Sequence, residues 1–215
     1  MSVSNYLKLI IDQAQFTPWL EWIAILAAIA EVLLAKANRV LLYPAGLIST
    51  AIYTWLFLRP GTRLYADAIL NIYYFAMSIY GWVLWLQRKN GTILHISVAN
   101  KNDWFKIILG CLGGWALLYA LLTRIFPLMF PWYAISDVAA WDALISATAW
   151  VGMWLLAKRK IENWILLNIS NLVAIPVYVY KGMPFTAALT LFLFIVAIFG
   201  YLEWKKQTGA QNLPA

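Results

Sequence analysis

The sequence predicts an all-α integral membrane protein, with seven transmembrane helices arranged as two parallel three-helix repeats joined by a central linker helix. Three observations predict this class. The chain is 64% hydrophobic with only 12% charged residues, its long apolar runs alternate with short charged clusters, and its first part is echoed by its last part. Soluble chains are about half apolar and about a quarter charged, so a soluble domain of 215 residues could not bury this much apolar surface.

The internal repeat relates residues 19–89 to residues 141–206. Both copies begin with an acidic residue beside a tryptophan, contain the same Leu-Leu-Ala-Lys sequence and close on Gly-x-x-x-Trp before basic residues. The corresponding positions are Glu21 and Asp142, Leu33 to Lys36 and Leu155 to Lys158, and Gly81 to Trp85 and Gly200 to Trp204. Two copies of one helical unit, separated by a spare apolar segment, are typical of many transporters.

Seven apolar runs reach the length of about 20 residues that a membrane-spanning helix requires. The predicted spans, in chain order, are residues 19–35, 40–58, 65–86, 104–126, 135–157, 164–180 and 184–203. Residues that break helices or form turns lie in the loops between spans. They are Asn38, Pro60 with Gly61, Asn90 with Gly91, Pro127 with Pro131, and Lys181 with Gly182.

Each copy contains three spans, which is an odd number. The second copy can have the same orientation as the first only if one further span lies between them. The span at residues 104–126 is therefore interpreted as an inversion linker between parallel repeats. This divides the chain into a first repeat at residues 19–89, a linker helix with its loops at residues 90–134, and a second repeat at residues 135–206.

The basic residues indicate the orientation in the membrane. With seven spans the termini lie on opposite sides, and the loops on the N-terminal side carry 5 Lys and Arg residues against 11 on the other side. Because cytoplasmic loops carry the excess, the C-terminus is predicted in the cytoplasm and the N-terminus outside. The net charge of +7 is then a topology signal, and no nucleic acid is expected as a partner. The polar first 17 residues lack the pattern of a removable signal peptide.

Polar side chains inside the spans are candidates for a ligand site, because each must find a partner or line a wet cavity. Asn71 in the third span and Asn168 and Asn171 in the sixth are the clearest cases. The alternative for each is hydrogen bonding between helices. Trp164, Asn168 and Asn171 have the spacing of one helix face. Aromatic residues in the span interiors could stack on a flat ligand or simply pack; they include Tyr53, Trp55, Tyr73, Tyr74, Trp150 and Trp154.

Familiar catalytic centres are not expected. One histidine, His95, and one cysteine, Cys111, offer neither a metal site of usual spacing nor a nucleophilic triad. No glycine-rich phosphate-binding loop is present, which argues against ATP-driven transport by this chain alone. We therefore expect no enzyme activity, no catalytic residue, no metal and no cofactor. The rival from another class is a membrane-embedded enzyme or sensor, which would need paired acids or histidines; the acids lie near span ends, and only Glu31 comes close to mid-span.

Motifs in both copies resemble the PnuC family of vitamin transporters. In the first copy they are Tyr65-Ala66-Asp67, Asn71, Tyr74 and the run from Met77 to Trp85. In the second copy they are Trp141-Asp142-Ala143, Lys160 to Trp164, Tyr178 to Gly182, and Gly200 to Lys205. Each motif is short, but their order and spacing extend over nearly the whole chain, from Glu21 to Lys206.

The resemblance implies a 3+1+3 arrangement related to the SWEET sugar transporters, commonly a homotrimer, in a bacterial inner membrane. It implies import by facilitated diffusion with alternating access, the imported vitamin being trapped by a cytoplasmic vitamin kinase. Nicotinamide riboside is the type substrate, whereas relatives carry thiamine or riboflavin. Nicotinamide riboside and thiamine share a flat cationic ring, which suits aromatic faces and amides.

Six ligand contacts are expected, with amides fixing polar groups and rings facing the heterocycle: Asn71, Tyr74, Trp82, Met153, Trp164 and Asn171. Two positions depart from the family pattern. Met153 stands where many nicotinamide riboside carriers have a glutamine, and Leu167 stands where the sixth span usually has a tryptophan four residues before its polar residue. Losing an amide donor to a buried ligand costs about 1–3 kcal/mol, which keeps thiamine open as the alternative substrate.

Overall fold

The structure is a computed structural model that describes the backbone of residues 3–59, 65–89 and 92–211 and the side chains of residues 7–59, 68–87 and 94–209. Helices dominate this part of the chain. Two antiparallel strands of two residues each lie between two of the helices: β1 (Arg88–Lys89) and β2 (Thr92–Ile93). The helices are α1 (Val3–Phe16), α2 (Trp19–Lys36), α3 (Leu42–Leu58), α4 (Tyr65–Leu86), α5 (Lys101–Ala120), α6 (Phe126–Met129), α7 (Ala139–Ala157), α8 (Asn163–Tyr180) and α9 (Pro184–Gln211). A π-helical turn at Leu121–Ile125 joins α5 to α6.

Every predicted span coincides with a helix, which confirms an all-helical membrane protein. Within the described ranges, α4, α5 with its continuation, α7, α8 and α9 are long and apolar enough to cross a membrane. Helix α2 carries three charged residues in 18, and α3 has 17 residues, so neither meets the same measure alone. The count of seven spans therefore stays a prediction.

The N-terminal helix α1 was not predicted from the polar sequence that forms it. It bends by 112° into α2 and packs on α9. Its Gln13 side chain donates to the carbonyl of Gly182 at 3.0 Å and accepts from the backbone N–H of Phe185 at 3.2 Å. Gly182 lies in the turn before α9 and Phe185 lies in its first turn. These hydrogen bonds attach α1 to the start of α9.

Six helices form a closed ring, in which each packs on two neighbours. The order around the ring is α2, α3, α4, α7, α8, α9 and back to α2. The helices α2 to α4 belong to the first copy and α7 to α9 to the second copy, so the copies meet along two seams, α4 with α7 and α2 with α9. The ends of α2, α7 and α9 at one side carry Lys36, Lys158, Arg159, Lys205 and Lys206, and we refer to this side as the basic end.

Helix α5, which contains the predicted linker span, lies outside the ring and packs on α7. The segment before it, residues 94–100, is bound to the turn between α7 and α8. Ser97 donates its backbone N–H to the Arg159 carbonyl and accepts from the N–H of Ile161, both at 3.0 Å. The N–H of Ala99 donates to Glu162 Oε1 at 2.8 Å. Helix α5 is thus attached to the second copy.

Within each copy, a large aromatic side chain fills the space above a glycine of the neighbouring helix. Tyr43 of α3 lies on Gly81 of α4, where an added Cβ would be 2.6 Å from Tyr43 Cζ. Trp164 of α8 lies on Gly200 of α9, where an added Cβ would be 2.7 Å from Trp164 Cη2. Gly81 and Gly200 open the two Gly-x-x-x-Trp motifs, so the repeat in the sequence is also a repeat in packing.

We predict that Gly81→Ala and Gly200→Ala each destabilise the protein by about 1–3 kcal/mol, because the methyl group has no room beside a ring packed against it. Gly113→Ala is the matched control, since nothing lies within 4 Å of a Cβ at that helical glycine. The midpoint of thermal unfolding in detergent should fall for the first two variants and not for the third. Equal midpoints for all three would contradict this packing.

Candidate functional site

Four aromatic rings meet inside the ring of helices near the basic end. Tyr43 of α3 and Trp85 of α4 are perpendicular at 5.2 Å, Trp164 of α8 and Trp204 of α9 are perpendicular at 5.7 Å, and Trp85 lies 6.2 Å from Trp204. All four side chains are buried. We call this group the aromatic plug. It closes the interior at the basic end, with two members from each copy.

Hydrogen bonds from the plug join the two copies reciprocally. Trp85 of the first copy donates its Nε1–H to the carbonyl of Ala157 in the second copy at 3.1 Å. Trp204 of the second copy donates to the carbonyl of Ala35 in the first copy at 2.9 Å. Both acceptors are the alanine of Leu-Leu-Ala-Lys, and both donors close Gly-x-x-x-Trp. The two repeated motifs are therefore the two halves of one contact between copies.

A cation covers the plug on its outer side. The Arg159 guanidinium lies 3.8 Å from the centre of the Trp85 ring and donates to the Leu94 carbonyl. Burial lowers the pKa of Arg159 from its usual range. Its backbone is left-handed, with φ of 51°, and Asn38 after the first copy's α2 is left-handed as well, with φ of 54°. Asparagine tolerates this conformation well and arginine less so, so the side-chain contacts of Arg159 hold a strained turn.

Helix α8 separates an outward face from an inward face. Asn171, with Leu167 four residues before it and Tyr178 seven residues after it, lies on the side away from the exposed residues and towards the interior. The outward face is apolar and exposed: Ile165, Ile169 and Leu172.

Three tyrosines bound the interior towards the opposite end. Tyr178 of α8 lies near Tyr74 of α4 and Tyr53 of α3, so side chains from both copies approach each other here. On α4, Tyr74 and Ser78 share a face with Asn71, since they follow it by three and seven residues. Ser78 has 0% exposure, and its Oγ has no hydrogen-bond partner among the described residues. We call the interior between these tyrosines and the aromatic plug the chamber.

The six expected ligand contacts divide between the chamber and its closed end. Asn71, Tyr74 and Asn171 lie on helix faces that border the chamber. Trp164, 1% exposed, is a member of the plug, and Trp82 and Met153 pack against the same buried cluster. None of these positions excludes ligand contact, and the binding role of all six stays a prediction.

Most of the other aromatic candidates point away from the chamber. Tyr73 donates its hydroxyl to the Trp150 carbonyl at 3.0 Å, with the two rings 4.7 Å apart. Trp150 and Trp154 border a groove with Lys106 of α5, and Trp55 is exposed. Of that set, Tyr53 and Tyr74 face inward.

Of the two asparagines that the spacing placed on one face of α8, Asn168 lines an outer groove whose lining does not include Asn171. Asn168 lines an open apolar groove of about 320 Å³ between α8 and α9, together with exposed side chains such as Ile165 and Leu202. Its Oδ1 has no partner among the described residues. Sequence reasoning also missed Tyr43, although both closing tryptophans of the plug stood in the motifs already noticed.

Comparison with known proteins gives concordant matches over most of the chain. A family model described as nicotinamide mononucleotide transporter matches residues 18–206. The chain is 22% identical over 216 residues to the nicotinamide riboside transporter PnuC of Escherichia coli (strain K12) and to that of Shigella flexneri, with 91% of this chain and 90% of each relative covered. The crystal structure of the vitamin B3 transporter PnuC is similar in fold, with a TM-score of 0.68 at 20% identity, covering 95% of this chain and 90% of that one.

We predict that replacing both donors, Trp85→Phe with Trp204→Phe, opens the basic end. Two hydrogen bonds worth about 1 kcal/mol each are lost, while an aromatic ring remains at each position. The readout is the rate at which a charged thiol reagent, applied from the basic side of sealed vesicles, labels Ser78→Cys in a Cys111→Ala background. The rate should rise at least about tenfold, as a population shift of about 1.4 kcal/mol gives.

The matched control is Trp115→Phe, which removes a tryptophan-to-carbonyl bond of 3.0 Å between α5 and Ala140 of α7, away from the plug. Its labelling rate should equal that of the parent. If the double variant labels no faster than this control, the indole bonds do not keep the basic end closed.

Proposed function

We propose, since this chain belongs to the nicotinamide mononucleotide transporter family, that it carries a small vitamin or vitamin precursor across a membrane. The sequence resemblance to PnuC is confirmed by the family match, which leaves only short ends of the chain uncovered. The observation that carries the proposal is the ring of two three-helix copies, closed at one end by the aromatic plug. Such an arrangement can expose a central chamber to the two sides of a membrane in turn.

Alternating access would proceed by rocking of one copy against the other. Each copy moves as a unit because its helices interlock through Tyr43 on Gly81 or Trp164 on Gly200. Opening the basic end separates Trp85 from Ala157 and Trp204 from Ala35, whereas opening the opposite end separates rings such as Trp22 of α2 and Phe185 of α9, now 5.7 Å apart. Facilitated diffusion requires no further energy source.

The proposed architecture is seven transmembrane helices in a 3+1+3 arrangement like that of SWEET transporters, with repeats at residues 19–89 and 135–206 and a linker at residues 90–134. Support comes from the position of α5 outside the ring and from the equivalent glycine contacts in the two copies. We propose a bacterial inner membrane location with the basic end in the cytoplasm, the C-terminus therefore inside and the N-terminus outside. A homotrimer and trapping of the product by a cytoplasmic vitamin kinase complete the proposal.

The proposed substrate is a small cationic vitamin or precursor, with nicotinamide riboside first and thiamine as the alternative. The curated relatives are named as nicotinamide riboside transporters, which favours the first. Amides of Asn71 and Asn171 would bind polar groups, Tyr74 would face the ring, and Trp82, Met153 and Trp164 would form the closed end of the site. Each side chain offers the chemistry that its role needs, since amides donate and accept and aromatic faces attract cations.

Uptake into sealed proteoliposomes that contain a purified vitamin kinase and ATP tests the transport function. Radiolabelled nicotinamide riboside should accumulate in vesicles with the protein and not in protein-free vesicles. A membrane-embedded enzyme or sensor, the alternative class, would give no flux. Absence of flux for nicotinamide riboside, thiamine and riboflavin alike would contradict the proposed function.

We predict that Asn171→Ala weakens vitamin binding by at least about tenfold, since a buried ligand group left without its partner costs about 1–3 kcal/mol. The matched control is Asn168→Ala, which alters the same helix one turn earlier but faces the groove between α8 and α9. Calorimetric titration gives the affinities, and gel filtration in detergent should show unchanged oligomers for both. Equal affinities in the two variants would remove Asn171 from the site.

A further inference from the structure

We propose that the Glu31 carboxylate is the counter-charge through which the chamber selects a cationic ring. This inference deepens the proposed function and rests on it. It assigns to one named side chain the preference for a charged heterocycle over an uncharged one of the same shape.

Glu31 lies on the chamber side of the plug. It is one helical turn before Ala35, whose carbonyl accepts the bond from Trp204. Its carboxyl group lies against Gly46 of α3, where an added Cβ would be 2.6 Å from Oε1 and 2.7 Å from Cδ. Gly46 is itself one turn after Tyr43 of the plug. The carboxylate therefore lies just inside the closed end, at the interface between α2 and α3.

No cationic side chain in the described part of the chain forms an ion pair with Glu31. Among the described side chains, the ion pairs join Lys160 to Asp103 and Lys181 to Asp142. Arg159 lies over the Trp85 ring and donates to the Leu94 carbonyl. A carboxylate within a membrane span is costly unless it is paired or faces a wet cavity, and such residues mark substrate pathways. A cation in the chamber would supply the missing partner.

Protein surrounds Glu31, yet its side chain keeps some accessible surface. The two observations agree if that surface faces the enclosed interior rather than the lipid. Tyr74, which borders the chamber from α4, has the same combination of surrounding protein and residual exposure. Both side chains therefore point into the space where the ligand would bind.

The second copy has no charge at the corresponding place. Glu31 and Gly152 each lie seven residues before the left-handed residue of their copy, and Gly46 and Leu167 each lie eight residues after it. In the second copy the glycine is on α7 and the side chain that fills it comes from α8, with an added Cβ on Gly152 only 3.0 Å from Leu167 Cδ2. The same contact between helices thus carries a carboxylate in one copy and an alkyl group in the other.

This asymmetry favours one class of substrate, a flat cationic ring. A ligand held between the copies meets a negative charge on one side and an apolar surface on the other. A flat ring with a permanent positive charge, such as a pyridinium or a thiazolium, satisfies both sides. An uncharged flavin leaves the carboxylate without a partner, so riboflavin is the least suitable of the three vitamins.

The test compares nicotinamide riboside with its reduced form, which has nearly the same shape and no positive charge. By calorimetry, the wild-type protein should bind the cation at least about tenfold more tightly, in line with the cost of leaving one member of a buried charge pair alone. Glu31→Gln keeps the size of the side chain and removes its charge. The ratio of the two affinities should fall to about one in this variant.

A second pair of variants tests the role of Glu31 without removing its charge. Gly46→Ala retains Glu31 but occupies the space of its carboxyl group, so the ratio should fall as well. Gly152→Ala makes the matching change in the second copy, where no charge is displaced, and should leave the ratio at the wild-type value. Gel filtration selects the variants that remain folded.

Equal wild-type affinities for the charged and uncharged forms would overturn the role of Glu31, whether or not any variant folds. An unchanged ratio in folded Glu31→Gln would overturn it too. Failure of the wild-type protein to bind or move any of the three vitamins would instead overturn the proposed function, which separates the two conclusions.

Discussion

Two indole N–H groups hold the copies together at the basic end, and the rest of the structure is organised around them. A hydrogen bond from a buried indole N–H is favourable inside a membrane protein, because no water competes for the donor. Each closing tryptophan finds an acceptor at the end of a helix in the other copy, at the carbonyl of Ala35 or Ala157. These two bonds fix the seams of the ring and bring the four rings of the plug together. The region that we call the chamber lies on the inner side of that contact.

The scaffold is symmetric, whereas the chemistry placed on it is not. In each copy, two helices pack through an aromatic ring that lies on a glycine. The pair is Tyr43 on Gly81 in the first copy and Trp164 on Gly200 in the second. One turn further into the bundle, the copies differ, since Glu31 meets Gly46 in the first and Leu167 meets Gly152 in the second. Two halves with the same packing can rock against each other. Their unlike side chains can hold a ligand that has no symmetry of its own.

Much of the fold could be predicted from the sequence, because span length and hydropathy follow directly from the thickness of the membrane. The predicted span at residues 65–86 has the same limits as α4, and the shared motifs identified the two copies. The direction in which each span residue faces was harder to predict. Both lipid and protein interior favour apolar side chains, so the pattern on α8 did not separate Asn168, in the outer groove, from Asn171 on the chamber side. The polar character of residues 3–16 likewise hid α1, whose position depends on a contact between Gln13 and a distant turn.

A structure of the protein with nicotinamide riboside bound would locate the ligand. We predict ligand density in the chamber, between α4 and α8 and on the inner side of Tyr43 and Trp164, with the charged ring towards Glu31. Density in the groove between α8 and α9, or at the outer surface of the plug beside Arg159, would contradict it.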